Sequence, residues 1–353
     1  MSYRLIAPHE LDATLTDAWR AIQSRTDAYV SPYFCPEFTQ LVASVRNDVR
    51  VAVIENDGRP VGFFPHQRSF LGMGKPVGGP LSDYHGVIAE PGSEWSVSEL
   101  MQSAKLSVWA FDHLVDEPGK FAPYVTARAT SPRINLSAGF ENYLSRFGGR
   151  LADVGRKVRK VEREVAPLSF EFHDPSNINM ECLITWKTEQ IRRTRVSNVF
   201  GVHWTGELLR RIMNVQSTDF AGVCSVLRAG DEVVAVHAGM RSRNMLHWWF
   251  PTYNRKFEKY SVGTILLFRI AEAAAAIGIR TVDLGKGDSQ YKQRVMTDAA
   301  DLVEGFVELP SLLASARKLQ RAAEARVPRG PLAAPLRLPL RAIRRIERIR
   351  RFH

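Results

Sequence analysis

The sequence predicts an α/β (α+β) protein of two tandem lobes, each a mixed, mostly antiparallel sheet flanked by helices, with a basic C-terminal tail. Three observations carry this. The chain has 353 residues, which suits two domains better than one. Hydrophobic residues make up 45% and charged residues 24%, which excludes a wholly disordered, collagen-like or coiled-coil chain. Each half also runs through two helices, a hairpin with an Asp-Gly or Gly-Asp turn, then further strand and helix. Val51–Gly62 and Val226–Val236 show the shared order, but their likeness residue by residue is weak, so a duplication is suggested and not established.

The elements follow in chain order. Leu11–Ser24 reads as a helix. Ser31-Pro32 supplies an N-cap and a proline at the first helical position for a second helix reaching Ser44. Val49–Glu55, the turn Asn56-Asp57-Gly58-Arg59, and Pro60–Pro65 form a hairpin. Phe70–Gly86 is rich in glycine and proline, Val97–Trp109 reads as helix, and 118–132 as irregular. One helix runs from Phe140 through a basic cluster to Glu164, and Pro167 ends it. Strand Leu168–His173 and helices Ile178–Arg195 and Thr205–Gln216 follow. A second hairpin spans Gly222–Arg228 and Val233–Met240, and Met245–Pro251 adds a third strand. Then come helix Gly263–Ile277 with Gly278 as its C-cap, strand Thr281–Leu284, a helix over Asp288–Val295 and strand Glu304–Leu309.

The net charge of +11 invites an acidic partner, but its placement narrows the reading. Residues 311–353 hold 12 basic residues against two acids, so +10 of the charge lies there and the body is almost neutral. One local cluster remains in the body: Arg150, Arg156, Lys157, Arg159, Lys160 and Arg163. The charge argues against nucleic acid as a partner of the domains. Within the tail, Leu340, Ile343, Ile346, Ile349 and Phe352 recur every three residues among arginines, a pattern that suits either an amphipathic helix on anionic lipid or a solvated tail. Cys35, Cys182 and Cys224 are scattered and lack metal spacing, so no metal or disulfide framework is expected. Neither a signal peptide nor an 18-residue apolar run is present, which predicts a cytoplasmic protein, peripheral at the inner face of the membrane if the tail binds lipid.

The chemistry concentrates in the second half. Lys259-Tyr260-Ser261-Val262-Gly263-Thr264 leads into a helix N-terminus, whose free N–H groups and positive dipole suit a pyrophosphate. Gly263 permits close approach, Ser261 or Thr264 adds a hydroxyl, and Lys259, Lys256 and Arg255 are near for outer phosphates. The same residues also fit an ordinary capped helix. Together with Asp283-x-Gly285-x-Gly287-Asp288-x-x-Tyr291-Lys292, this stretch resembles the GNAT acetyltransferases, and more narrowly the CelD/BcsL-type proteins associated with bacterial cellulose biosynthesis, which pair two GNAT folds as FemAB-like proteins do. Tyr33–Phe38, the strand ending at Pro65, and Pro80–Gly86 extend the resemblance over residues 25–308. Val262 departs from it, standing where the family commonly has proline. The first half lacks a Gly-x-Gly loop leading into a helix, having only Gly72-Met73-Gly74 and Gly78-Gly79. The resemblance therefore implies a degenerate lobe at 1–145, a basic linker helix at 146–167, an acyl-CoA-binding lobe at 168–310 and a helical or disordered tail at 311–353.

It also implies roles. Acetyl-CoA or another acyl-CoA is the cosubstrate, held by Lys259, Ser261, Val262, Gly263 and Thr264. Tyr291 is placed to reprotonate the thiolate. Asp288 and Lys292, four apart on a helix, pair on its surface, orient Tyr291 or meet the acceptor. Asp283 caps or positions the loop. For a base there are two places to look. His237 and His247 share a hairpin and emerge on one face if its turn centres on Arg243, or on opposite faces after a one-residue slip. Asp83-Tyr84-His85 sits in a loop that would face a cleft and help bind acceptor. Trp248-Trp249-Phe250 with Tyr253 suits a sugar, a pantetheine channel or simply a buried strand. Three functions compete: an acyl-CoA-dependent N-acyltransferase acting on a saccharide or small-molecule amine of polysaccharide or envelope biosynthesis; a FemAB-like aminoacyl-tRNA-dependent transferase using the basic helix; and a non-catalytic, membrane-associated scaffold.

Overall fold

The computed structural model describes residues 1–116, 119–146, 149–194, 199–287, 289–311, 314, 315 and 317. Nearly all of the predicted tail, and Asp288, lie outside these described residues. The chain forms two compact units that are discontinuous in sequence, one of Met1–Arg25, Val42–Arg128 and Leu302 onward, the other of Thr26–Leu41 and Ala129–Asp301.

In the first unit β1 (Ser2–Ile6) precedes α1 (Ala13–Gln23), whose N-cap Asp12 accepts from the Leu15 N–H. The chain then enters the second unit with a 3₁₀ turn and α2 (Pro36–Ala43). The single helix expected from Ser31 is thus cut in two. Cys35, preceding a proline, is extended at φ −71° and ψ 139°, so the helix restarts at Pro36. Back in the first unit, β2 (Val49–Asn56) and β3 (Arg59–Arg68) form the expected hairpin. Asp57 and Gly58 both take positive φ (50° and 77°), as a type I′ turn requires. β4 (Met73–Lys75), β5 (Ile88–Ala89), α3 (Val97–Ser103) and β6 (Val108–Leu114) follow. The helix expected over Val97–Trp109 stops early because Lys105 turns to φ 55°, and the chain leaves it as a strand. The order within this unit is β1-β2-β3-β4-β6, with β5 beside β3.

β7 (Val125–Asn135) carries the chain into the second unit, where an irregular stretch was expected up to residue 132. The helix expected over Phe140–Glu164 is two, α4 (Phe140–Ser145) and α5 (Gly149–Glu164). α4 ends at its C-cap Arg146. β8 (Leu168–Glu171), α6 (Asn177–Thr194), α7 (His203–Met213), β9 (Phe220–Ala229), β10 (Glu232–Ser242) and β11 (Met245–Tyr253) agree with expectation to within a few residues. So do α8 (Val262–Ala276) and β12 (Thr281–Asp283). α9 (Gln290–Val295) starts two residues later than expected, and β13 (Asp298–Glu308) is longer, its Val303–Glu308 part lying in the first unit and pairing there with β6. The second unit's order is β7-β12-β11-β10-β9-β8, antiparallel except for β11 with β12. Its core gathers Leu246, Trp248, Val262, Leu266 and Val282 against Tyr143 and Val161. Among the described residues no helix is long and apolar enough to cross a membrane, and no cluster of three metal-ligating side chains occurs.

Candidate functional site

The site begins with two strands that part. β11 pairs with β12 only over Met245–His247, matched to Thr281–Asp283. β12 then ends while β11 runs on to Tyr253, so Trp248–Tyr253 have no strand on that edge among the described residues. Beside this edge lies a cavity of about 700 Å³ within the second unit. Trp248, Pro251, Thr252 and Tyr253 line it from β11, and Ser261, Val262, Gly263 and Thr264 from the start of α8.

The α8 end is built for close approach. Ser261 is its N-cap and takes the left-handed conformation, φ 56° and ψ 41°, which costs a non-glycine residue on the order of 1 kcal/mol. Its carbonyl accepts from the N–H groups of Thr264 and Ile265 at 2.9 and 3.3 Å, so those of Val262 and Gly263 precede the first intrahelical bond. A Cβ at Gly263 would stand 3.4 Å from the Tyr253 ring and narrow the passage. Val262, where a proline is common in the resemblance, is fully buried in the core cluster and anchors the loop apolarly instead. Lys259 departs from expectation. It does not line the cavity; its ammonium lies 4.7 Å over the Tyr260 ring and 3.8 Å from Glu164.

The opposite wall comes from the segment after β12. Asp283 is fully buried, and its Oδ1 accepts from Ser131 Oγ (2.9 Å) and the Gly285 N–H (2.8 Å), with His247 Nδ1 at 3.1 Å. This carboxylate fixes the start of the Gly285–Gly287 loop. Lys292 fixes its far side, donating to the carbonyls of Gly285 and Lys286 at 2.9 and 3.0 Å. Lys292 is therefore a loop tie, and its expected pairing with Asp288 falls on a residue outside the described ones. Tyr291 stands between these ties and lines the cavity, 43% exposed. Partial burial raises its phenol above the ordinary value of 10.0, while the Trp248 indole beside it acts the other way.

One expectation for a base is corrected. His237 is fully buried, stacked on Trp248 at 4.5 Å, and neither ring nitrogen has a hydrogen-bond partner among the described residues. Burial pushes its pKa down to about 3, so it stays neutral and sealed. The one-residue slip that separates the two histidines is real. A bulge between Ala238 and Met240 sets Met240 opposite His247, so His237 meets Trp248 while His247 turns to Asp283 and the edge of Tyr33, at 5.1 Å. Gly239 makes the bulge fit, since a Cβ there would lie 2.3 Å from the His247 carbonyl. The other group, Asp83-Tyr84-His85, belongs to the first unit. Asp83 lies 3.7 Å from His113, Tyr84 is buried, and His85 Nε2 accepts from the His113 N–H at 3.3 Å.

The residue that sequence reading missed is Lys187, on α6. It lines the cavity, and its ammonium donates to the Pro251 carbonyl at 3.0 Å. Burial, with the nearby Lys292 charge, pushes its pKa down to about 8. No local pattern announces this, because its partner lies 64 residues away. Gln190, one turn on, also lines the cavity, and its Oε1 is buried with no hydrogen-bond partner among the described residues. An orphaned buried acceptor costs free energy, so a donor supplied by a polar ligand would be accommodated here.

Known proteins share the fold. Residues 149–293 match the family model of the acetyltransferase (GNAT) domain, so this part of the chain is an N-acyltransferase domain. No curated protein matches the chain. Among solved structures, the C-terminal domain of a putative lysylphosphatidylglycerol synthetase from Agrobacterium fabrum is similar at 12% identity and TM-score 0.53, covering 87% of this chain and 96% of that one. FemX is similar at 8% identity and TM-score 0.55, covering 91% and 100%. A tandem GNAT protein from the clavulanic acid biosynthesis pathway aligns at 10% identity and TM-score 0.49, covering 88% and 99%. The fold is thus FemX-like, a mostly antiparallel sheet flanked by helices, with one GNAT domain at residues 149–293.

Proposed function

We propose that the chain transfers an acyl group, acetyl in the first instance, from acyl-CoA to an amine on a saccharide or small-molecule precursor of polysaccharide or cell-envelope biosynthesis. One observation carries this: the parted β11 edge, the open start of α8 and Tyr291 share one cavity. The donor fits the residues present. Val262 and Gly263 N–H groups suit its pyrophosphate. The free β11 edge and the unpartnered Gln190 Oε1 suit the amides of its pantetheine arm. The CelD/BcsL resemblance supports a polysaccharide setting, and the similarity to a lysylphosphatidylglycerol synthetase domain accords with the envelope.

In this reading Lys187, as the neutral amine, takes the proton from the acceptor ammonium so that the nitrogen lone pair can attack the thioester carbonyl. Tyr291, held protonated by its raised pKa, gives its proton to the departing thiolate. The aminoacyl-tRNA alternative is weakened by the basic helix itself: Arg156 and Lys157 both pair with Asp153, and Arg163 with Glu164.

Acetyl-CoA should raise the thermal unfolding midpoint, since a ligand at 100 times its Kd stabilises the native state by about 2.7 kcal/mol. No shift at millimolar acetyl-CoA overturns the donor assignment. The base assignment is tested by pH. A lysine acts as base only when deprotonated, so kcat/KM should climb with pH and level off above about 8. Lys187→Met should lower it by ~10² and abolish that climb. A mutant profile that keeps the same climb removes Lys187 from the role.

A further inference from the structure

We propose that the first unit docks on an anionic lipid bilayer through the tip of its β3–β4 hairpin, with Phe70 and Leu71 entering the lipid interface. Phe70 is 102% exposed and Leu71 67%, and they are the one adjacent pair among the large exposed apolar residues described. Single exposed apolar residues need no explanation, but a fully exposed phenylalanine beside a leucine at a tip does.

The tip is held rigidly. Ser69 N–H donates to the Met73 carbonyl at 2.9 Å, Gly72 N–H to the Ser69 carbonyl at 3.0 Å, and Met73 N–H to Ser69 Oγ at 3.1 Å. Gly72, at φ 74°, closes the turn. The Gly72 carbonyl in turn accepts from the Ser107 N–H at 2.8 Å, which ties the tip to the α3–β6 connection. A projecting pair of apolar side chains can enter the boundary between headgroups and acyl chains.

Charge selects an anionic surface. Residues 59–75 contain no acid, and Arg68 flanks the tip along its own strand. Lys105, exposed, stands beside Gly72, whose Cβ would lie 3.3 Å from the Lys105 carbonyl. Asp48, just before the adjoining strand, is committed to Arg46 at 3.0 Å, to Lys75 at 3.9 Å and to Gln67 at 2.7 Å. Arg317, the first cation of the +10 C-terminal segment, reaches Met73 Sδ at 3.4 Å, so that segment's charge starts at this hairpin. Cations beside an inserting apolar tip are the two signals that together hold a protein at a membrane surface.

The test uses the full chain and vesicles of equimolar phosphatidylcholine and phosphatidylglycerol. Phe70→Ser with Leu71→Ser should keep the unfolding midpoint and the acetyl-CoA shift of the parent, yet weaken vesicle co-sedimentation by about tenfold or more. In a Phe70→Trp variant, vesicle addition should shift the emission of the introduced indole, taken as the difference from the parent, to the blue. Unweakened co-sedimentation of the double variant overturns the proposal. So does an unshifted indole on bound vesicles. An indole already shifted without lipid also overturns it, by showing the tip covered by the chain's own C-terminal segment or a second copy. None of these outcomes bears on the acyltransferase reading, which the acetyl-CoA shift tests separately.

Discussion

Tyr291→Phe should leave acetyl-CoA binding within about twofold and lower turnover by about 10²–10⁴, the range for loss of a positioned proton donor. The substitution keeps the ring that lines the cavity and removes only the hydroxyl. Binding and chemistry therefore separate cleanly: the thermal shift with acetyl-CoA reports the first, and release of free thiol in the presence of an amine acceptor reports the second. The raised phenol pKa gives a further signature. An acid that must be protonated loses activity as pH rises through its pKa, so the parent's alkaline limb should fall above the ordinary phenol value of 10.0. Turnover unchanged in the phenylalanine variant would take Tyr291 out of the acid role, leaving the thiolate to depart unprotonated.

What could be read ahead of the structure depended on how local each feature is. The hairpin at Asp57-Gly58 and the Ser261-x-Gly263 entry to α8 are written in contiguous residues, because a positive φ or a helix start is chosen within a few positions. Tyr291 falls in the cavity for the same reason: the motif that names it spans strand, loop and helix without a break. Lys187 was invisible, since only the packing of α6 on β11 brings its ammonium to Pro251. His237 was undecidable for a subtler reason. A single extra residue on β11, opposite Gly239, decides which face a strand histidine takes, and a glycine between apolar neighbours announces no register. β7 was overlooked because it contains Pro132 and exposes much of its first half, so it lacks the alternation by which strands are recognised. Segment 26–41 shows the limit of reading lobes as continuous stretches. Tyr33, early in the chain, sets its ring edge against His247 in the second unit.

Asp283→Ala should be the most damaging substitution for stability, lowering the unfolding free energy by about 3–5 kcal/mol in denaturant titration. The size follows from what is left behind. Three groups meet one buried oxygen: the Ser131 hydroxyl, the Gly285 N–H and the His247 ring. Alanine deprives all three at once in a place where water does not reach, and each orphaned buried partner costs ~1–3 kcal/mol. Asp283→Asn retains a carbonyl oxygen for these groups and should cost clearly less, so the order alanine worse than asparagine is itself a prediction. The reverse order would mean that the carboxylate's charge, not its role as a shared acceptor, is what the core requires. The effect should also reach the site. Gly285 opens the loop that Lys292 closes, and Tyr291 is carried on the short helix behind it. Under conditions where the asparagine variant remains folded, its kcat should fall while its acetyl-CoA shift persists, because α8 and the free β11 edge are held by other contacts. A variant that loses acetyl-CoA binding as readily as turnover would show instead that Asp283 supports the whole cavity and not the Tyr291 wall alone.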